Sequence, residues 1–116
     1  MANKPRDERI RTETERITGL FAGLEPSELA FVRPMLQNMA FMVVTLEDLQ
    51  EEINASGAVD EYMNGSAQYG RKASAAIQAY NATAKLYLSA LDKLIGRLPK
   101  DQRKSALAEL MAGDGE

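Results

Sequence analysis

The side chains of this chain that could do chemistry are mostly carboxylates, because the sequence contains no histidine and no cysteine. The densest acidic cluster consists of Glu47, Asp48, Glu51 and Glu52. Carboxylate oxygens of this kind could hold Mg²⁺. On a helix, however, the four point away from the apolar positions, which favours a solvated face or one that pairs with basic partners. We therefore predict no metal and no cofactor.

The missing residue types also argue against an enzyme. Without His or Cys, the His-assisted forms of nucleophilic catalysis and most transition-metal sites are excluded. No Gly-x-x-x-x-Gly-Lys-Ser/Thr loop is present to hold nucleotide phosphates. The absence of cysteine fits a reducing cytoplasm. The N-terminus lacks a signal-like apolar core, and no run of 18 apolar residues could span a bilayer, so we expect a soluble protein without membrane contact.

Charge is divided unevenly along the 116 residues, although the net charge is only −3. Residues 25–61 carry eight acids and one base, a net charge of −7, whereas residues 71–104 carry eight bases and two acids, a net charge of +6. The basic part could form a nucleic-acid surface. Equally, the acidic and basic parts could pair with each other, within one chain or between copies.

Two long segments have the periodicity of amphipathic helices that pack along a narrow seam. In the first, the apolar positions are Met35, Met39, Met42, Leu46, Leu49 and Ile53. In the second, they are Ile77, Tyr80, Ala84, Tyr87, Leu91, Leu94 and Leu98. Asn54 and Gly57 are expected to end the first helix, and Ser74 to cap the second. The two should pack as an antiparallel hairpin.

Shorter helices are predicted on either side of this hairpin. A polar helix over residues 6–21 precedes a short helix capped by Ser27, and Pro34 is expected to start or kink the next one. Asp101 is predicted to cap an amphipathic tail helix. We therefore predict an all-α fold with N-terminal short helices (1–33), a helical hairpin (34–100) and a C-terminal tail helix (101–116).

The segment between the two long helices lacks a sustained helical or strand period over residues 54–73. A loop of this length inside a small domain is usually functional or disordered. Tyr62 and Tyr69 favour an ordered functional loop, since disordered segments are poor in aromatic residues. A mobile hairpin tip is the alternative.

A second apolar stripe widens the hydrophobic arc of both long helices: Leu36, Val43, Leu88 and Ile95. One partner helix covers less than this arc. Self-association would bury the remainder, and so would the N-terminal helices in a monomer.

An ordered set of short motifs over about residues 29–100 resembles the terminase small subunits of tailed phages and prophages. The motifs are Ala40-Phe41-Met42, Leu46-Glu47-Asp48-Leu49-Gln50, Gly57-x-Val59-x-Glu61-Tyr62-x-Asn64-Gly65, Gln68-x-Gly70, Tyr80-Asn81, Lys85-x-Tyr87 and Leu98-Pro99. The resemblance implies a non-enzymatic, cytoplasmic component of viral DNA packaging. Such a component forms a homo-oligomeric ring, binds viral double-stranded DNA and delivers it to the large subunit, which carries the ATPase and nuclease activities.

On this interpretation the candidate site residues fall into three groups. The loop motif comprises Tyr62, Asn64, Gly65, Gln68 and Gly70. DNA contacts are expected from Arg71 and Lys72, where the loop meets a capped helix whose free backbone donors could also bind phosphate. Arg6, Arg9 and Arg11 are the rival set. The hairpin or oligomer seam comprises Met39, Met42, Leu46, Leu49, Ile53, Tyr80, Tyr87 and Leu91.

A helical-hairpin adaptor or prophage regulator that binds another protein and never contacts DNA is the alternative function. DNA binding by the assembled oligomer distinguishes the two. An ATP-linked or hydrolytic enzyme ranks third, because the residues that such chemistry needs are missing.

Overall fold

The computed structural model describes residues 4–57, 59–64 and 68–112, which form four helices and one pair of strands. In chain order the elements are α1 (Arg6–Leu20), α2 (Pro26–Ser56), β1 (Val59–Asn64), β2 (Gln68–Ala73), α3 (Ala75–Ile95) and α4 (Lys100–Ala112). α2 packs against α3, and an ion pair joins Glu28 near the start of α2 to Arg97 just beyond α3. The two helices therefore run antiparallel, and the predicted all-α hairpin fold is confirmed.

α1 is a mostly polar helix that lies along α2 and is anchored at its C-terminal end. Ile17 and Phe21 are fully buried there. In the N-terminal half of the helix, Ile10 is only half-buried. The backbone N–H of Phe21 bonds to the carbonyl of Thr18 at 3.0 Å and closes the last turn. The apolar attachment of α1 is therefore concentrated at one end.

α2 is one continuous helix of 31 residues, so Pro34 does not start a helix, which was the first of the two predicted alternatives. A proline inside a helix costs about 3 kcal/mol through its missing N–H and its ring. Val32 and Leu36 flank Pro34 and are both fully buried, and burial of each stabilises by roughly 1.5–3 kcal/mol. Packing on both sides thus keeps the helix intact. Its start also differs from prediction, because Pro26 occupies the first turn, ahead of Ser27.

By length and composition alone, α2 is the one helix among the described residues that could cross a membrane. The core helix of a soluble protein meets the same criterion. In this fold α2 lies between α1 and α3 and contributes six buried residues to the interior. The expectation of no membrane contact remains a prediction.

Residues 59–64 and 68–73 differ from the predicted loop, because β1 and β2 pair as an antiparallel ribbon. α2 ends at Gly57, whose φ of +90° is open to glycine without strain, and its N–H bonds to the carbonyl of Ile53 at 2.7 Å. The register runs from Val59 opposite Ala73 to Asn64 opposite Gln68. Cross-strand pairing satisfies backbone groups without requiring an alternating apolar face, which is why hydrophobic periodicity failed to reveal it.

Hydrogen bonds that involve side chains form at the start of α3 and in the turn that follows its end. At its start, Ser74 caps the helix as predicted: its hydroxyl accepts a hydrogen bond from the backbone N–H of Ile77 at 3.1 Å. At its end, Arg103 donates to the carbonyls of Leu98 at 2.9 Å and Gly96 at 3.1 Å. α4 begins at Lys100, so Asp101 lies within the first turn and is not the predicted cap.

The core lies where α1 and α4 pack on the α2–α3 pair. It contains Ile17, Phe21, Val32, Leu36, Met39, Ala40, Met42, Leu91, Leu94, Leu98, Ala106 and Leu110. The second apolar stripe is divided: Leu36 is buried, Val43 and Ile95 are half-buried against the core, and Leu88 is exposed. The stripe is thus only partly covered within one chain. Met35, the first predicted seam residue, is 38% exposed.

The molecule is elongated. Its radius of gyration is 17.9 Å and its principal dimensions are 63 × 33 × 23 Å, whereas a compact domain of this length would have a radius near ~13 Å. The ion pairs place the start of α1 beside Asp48. The last two turns of α2 and the β ribbon that follows therefore extend beyond the end of α1. The core therefore sits toward one end.

Candidate nucleic-acid interface

Two arginines of α1 contact two carboxylates of α2. Arg6 and Arg9 are three residues apart and therefore lie on one face of the helix. Arg9 donates from Nη1 to Asp48 Oδ1 at 2.8 Å and from Nη2 to Glu47 Oε1 at 3.0 Å. Arg6 pairs with the other carboxylate oxygen of Asp48. One aspartate thus bridges both guanidinium groups.

These ion pairs are partly open to solvent. The side chains of Arg9, Asp48 and Glu47 are 29%, 39% and 59% exposed, and exposed pairs typically contribute only about 0.2–1 kcal/mol each. The hydrogen bond to Asp48, and secondly that to Glu47, raises the pKa of Arg9, while burial lowers it. Arg6 also lies over the ring of Phe41, 5.0 Å from its centroid. The contact orients the arginines while contributing little stability.

At Glu47 and Asp48 the observed pairing differs from a match between the acidic middle and the basic third of the chain, which was one of the two alternatives left open by the sequence. The carboxylates of Glu47 and Asp48 meet α1 instead. Within the described ranges, Arg97 with Glu28 is the ion pair that links α2 to the basic part. The three-residue spacing of Arg6 and Arg9 indicates that they share a face of α1, but not that Glu47 and Asp48 are their partners. Arg11, the third member of this set, is exposed.

The acidic cluster does not assemble into a metal site among the residues that the structure describes. No group of three or more carboxylates there could hold a metal ion. Glu47 and Asp48 bind arginines, while Glu51 and Glu52 are exposed one turn further along α2. The cluster is thus a partly paired and partly solvated face.

The other proposed DNA-contacting residues lie on β2, immediately before the capped start of α3. The register places Arg71 opposite Glu61 and Lys72 opposite Asp60. Each base is thus paired in register with an acid, and the two bases and two acids of the paired strands sum to zero net charge. Duplex binding here would therefore need the bases of several copies.

The loop-motif residues lie on the paired strands, with Tyr62 opposite Gly70 and Asn64 opposite Gln68. Gly65 lies outside the described residues. The register thus joins the two halves of the motif, which are separated in sequence, at the end of the ribbon farthest from the helices.

The seam residues follow the long axis of the hairpin, and their burial changes along it. Met39, Met42 and Leu91 are buried near the core. The remaining five are half-buried: Leu46, Leu49, Ile53, Tyr80 and Tyr87. In the half of the hairpin that leads to the β ribbon, the seam between α2 and α3 is therefore partly exposed to solvent.

A shallow cavity of about 190 Å³ adjoins the seam. Glu13 and Arg16 of α1 form a half-buried ion pair at its rim, and Tyr87 and Leu110 also line it. Burial raises the pKa of Tyr87, the nearby Glu13 raises it further, and Arg16 lowers it. The sequence does not reveal the approach of this pair to Tyr87, because it depends on how α1 packs.

Comparison with protein families, curated proteins and solved structures finds no match to this chain.

Proposed function

We propose that this chain is the DNA-recognition subunit of a viral genome-packaging motor, similar to the terminase small subunits of tailed phages. In this role a ring of copies would bind viral double-stranded DNA in the host cytoplasm and deliver it to the large subunit. Two features support the proposal: the ordered motifs over about residues 29–100, and an elongated helical hairpin that carries those motifs. The subunit itself would have no catalytic residue.

The observation that carries the proposal is the pair of apolar side chains on α3, Leu86 and Leu88, which are 65% and 61% exposed. Two residues along a helix correspond to about 200° around its axis. The two leucines therefore face nearly opposite flanks of one helix. A head-to-tail ring needs two such different contact surfaces on each subunit.

A ring would also compensate for the net negative charge of a single subunit, which disfavours DNA binding. With a net charge of −3, one subunit attracts a polyanion poorly. Repetition around a ring would bring many copies of Arg71 and Lys72 to one surface. Phosphate contacts of this kind provide affinity without base recognition.

Assembly can be tested with leucine variants on α3. Leu86→Lys and Leu88→Lys should each reduce the solution mass toward that of the 12.8 kDa monomer, because a charge at either contact surface would be buried against an apolar neighbour. Leu107→Lys on α4, where the leucine is 41% exposed, is the matched control. A wild-type protein that stays monomeric at every concentration would exclude the ring.

DNA contact can be tested with charge reversals. Reversing Arg71 and Lys72 to Glu should weaken duplex binding and flatten its salt dependence, since each lost phosphate contact removes about 0.9 from the slope of log affinity against log salt. Reversing Arg6, Arg9 and Arg11 should have less effect, because two of the three already bind carboxylates. The oligomer mass should stay unchanged. An unchanged slope after the first reversal would exclude Arg71 and Lys72.

A protein-binding adaptor is the second candidate, favoured by a different surface. Leu107 and Met111 lie one turn apart on α4 and are 41% and 77% exposed. Adjacent apolar side chains of this kind fit a helix-in-groove contact with another protein. An assembled protein that binds no duplex would favour this candidate.

A further inference from the structure

We propose that Glu47 and Asp48 of α2 mask a phosphate-binding site on α1, formed by Arg6 and Arg9, and that the backbone of duplex DNA competes with these carboxylates. The inference rests on the proposed DNA-binding function and deepens it. It assigns to the α1–α2 ion pairs an autoinhibitory role.

The chemistry of the contact supports competition. A guanidinium group presents a planar fork of donors that matches carboxylate and phosphate oxygens alike. Asp48 places one oxygen 2.8 Å from Arg9 and its other oxygen against Arg6, while Glu47 lies 3.0 Å from Arg9. The carboxylates thus accept hydrogen bonds from the same guanidinium N–H groups that a phosphate would need.

The attachment of α1 makes displacement feasible. Its fully buried anchors, Ile17 and Phe21, lie at the C-terminal end. Along its first turns only Ile10 reaches the core, and it is half-buried. The N-terminal half is therefore held mainly by the ion pairs and by the stacking of Arg6 on Phe41. Those turns could separate from α2 while the far end remains packed.

Exposed Lys4 lies just before the masked pair and would extend the site. Arg11 is also exposed, but two residues from Arg9 place it on nearly the opposite flank of α1. Release of Arg6 and Arg9 would therefore place three basic groups within six residues of chain, together with Asp7 and Glu8. Such a cluster would bind phosphates without sequence preference.

The test compares duplex binding by charge-matched variants of the full chain. The probe is a fluorescein-labelled duplex of arbitrary sequence, titrated at several salt concentrations. Glu47→Gln with Asp48→Asn should raise the affinity about tenfold and steepen the salt slope by about 1.8, which corresponds to two further phosphate contacts. Glu51→Gln with Glu52→Gln is the control, because it removes the same charge one turn away and neither residue has an ion pair among the described residues.

A third variant tests whether the increase in duplex affinity depends on the arginines. Adding Arg6→Ala and Arg9→Ala to the Glu47→Gln, Asp48→Asn background should abolish that increase. Hydrogen exchange provides a second readout: DNA should increase exchange of α1 amides over residues 9–14 in the wild type, while the α2–α3 amides stay protected.

Each result bears on the proposal. An equal gain from the Glu51 and Glu52 control would show a general charge effect and overturn the masking role. So would a gain that survives loss of both arginines. If the wild type binds DNA and neutralisation of Glu47 and Asp48 changes nothing, masking fails while the proposed function stands. If no variant binds duplex at any salt, both fail.

Discussion

Two phenylalanines of this chain occupy opposite environments, and this difference gives a direct test of the core. Phe21 is fully buried and Phe31 is 69% exposed. Phe21→Ala should lower the free energy of unfolding by about 3–5 kcal/mol, because it removes a buried ring and leaves a cavity. Phe31→Ala should cost less than about 1 kcal/mol, mainly through its contact with Arg97, 5.3 Å from the ring centroid. Chemical denaturation of both variants measures the difference, and equal losses would contradict the placement of the core.

The burial of Tyr87 can be tested through the dependence of stability on pH. Because the folded state raises its pKa above the ordinary value of 10.0, its contribution to stability is complete below that pH and is lost as pH rises through the folded pKa. Tyr87→Phe should remove this loss. Denaturation between about pH 8 and pH 11 should show a smaller decline for the variant. The same decline in both proteins would exclude burial of the Tyr87 hydroxyl.

At the scale of single elements, the start of α3 depends on one side chain. Ser74 is 5% exposed and accepts the hydrogen bond from Ile77. Ser74→Ala should therefore lower the free energy of unfolding by about 1 kcal/mol. Ser89→Ala is the control, since Ser89 is exposed in the middle of the same helix and alanine is the better helix former. If denaturation gives both variants the same free energy of unfolding, the Ser74 cap does not contribute to stability.

The contact between α1 and α2 should be sensitive to salt. Arg9→Ala removes two partly exposed ion pairs and should cost about 1 kcal/mol at low salt. At 1 M salt the screening length falls to about 3 Å, so most of this cost should disappear. Arg11→Ala, at an exposed position, is the matched control. A loss for Arg9→Ala that does not change with salt would show that its packing, rather than its charge, holds α1.

The long helices were predictable from the sequence because a buried face repeats with the helical period. Tyr87 and Leu91 lie on the covered side of α3, as that period requires. Pro34 was misleading, since local backbone preference allowed a helix to start there, whereas α2 runs continuously through it with Val32 and Leu36 buried on either side. Whether a helix continues through a proline depends on the tertiary packing around it, and this packing cannot be inferred directly from a single sequence.

The candidate site was less predictable than the fold. Arg6 and Arg9 were chosen for their charge, but their partners, Glu47 and Asp48, lie about forty residues away along the chain. Helical spacing fixes which residues share a face of one helix, but it does not fix which helix packs on that face. The ribbon register that places Arg71 opposite Glu61 was likewise absent from any periodic signal.

At the scale of the whole molecule, an elongated subunit with exposed leucines on two flanks of α3 is suited to repeated lateral contact. Apolar contact should dominate such an interface. Glu28, Glu47 and Asp48 are already engaged by arginines of their own chain, which leaves these acids less available for charge pairing between copies. We therefore expect the oligomer to persist at 1 M salt.

Sedimentation of a labelled duplex with the protein reports DNA binding and assembly together. We expect the DNA to sediment with many copies of the 12.8 kDa chain and to separate from them as salt rises. DNA that sediments alone at every protein concentration and at low salt would exclude the proposed role in DNA recognition.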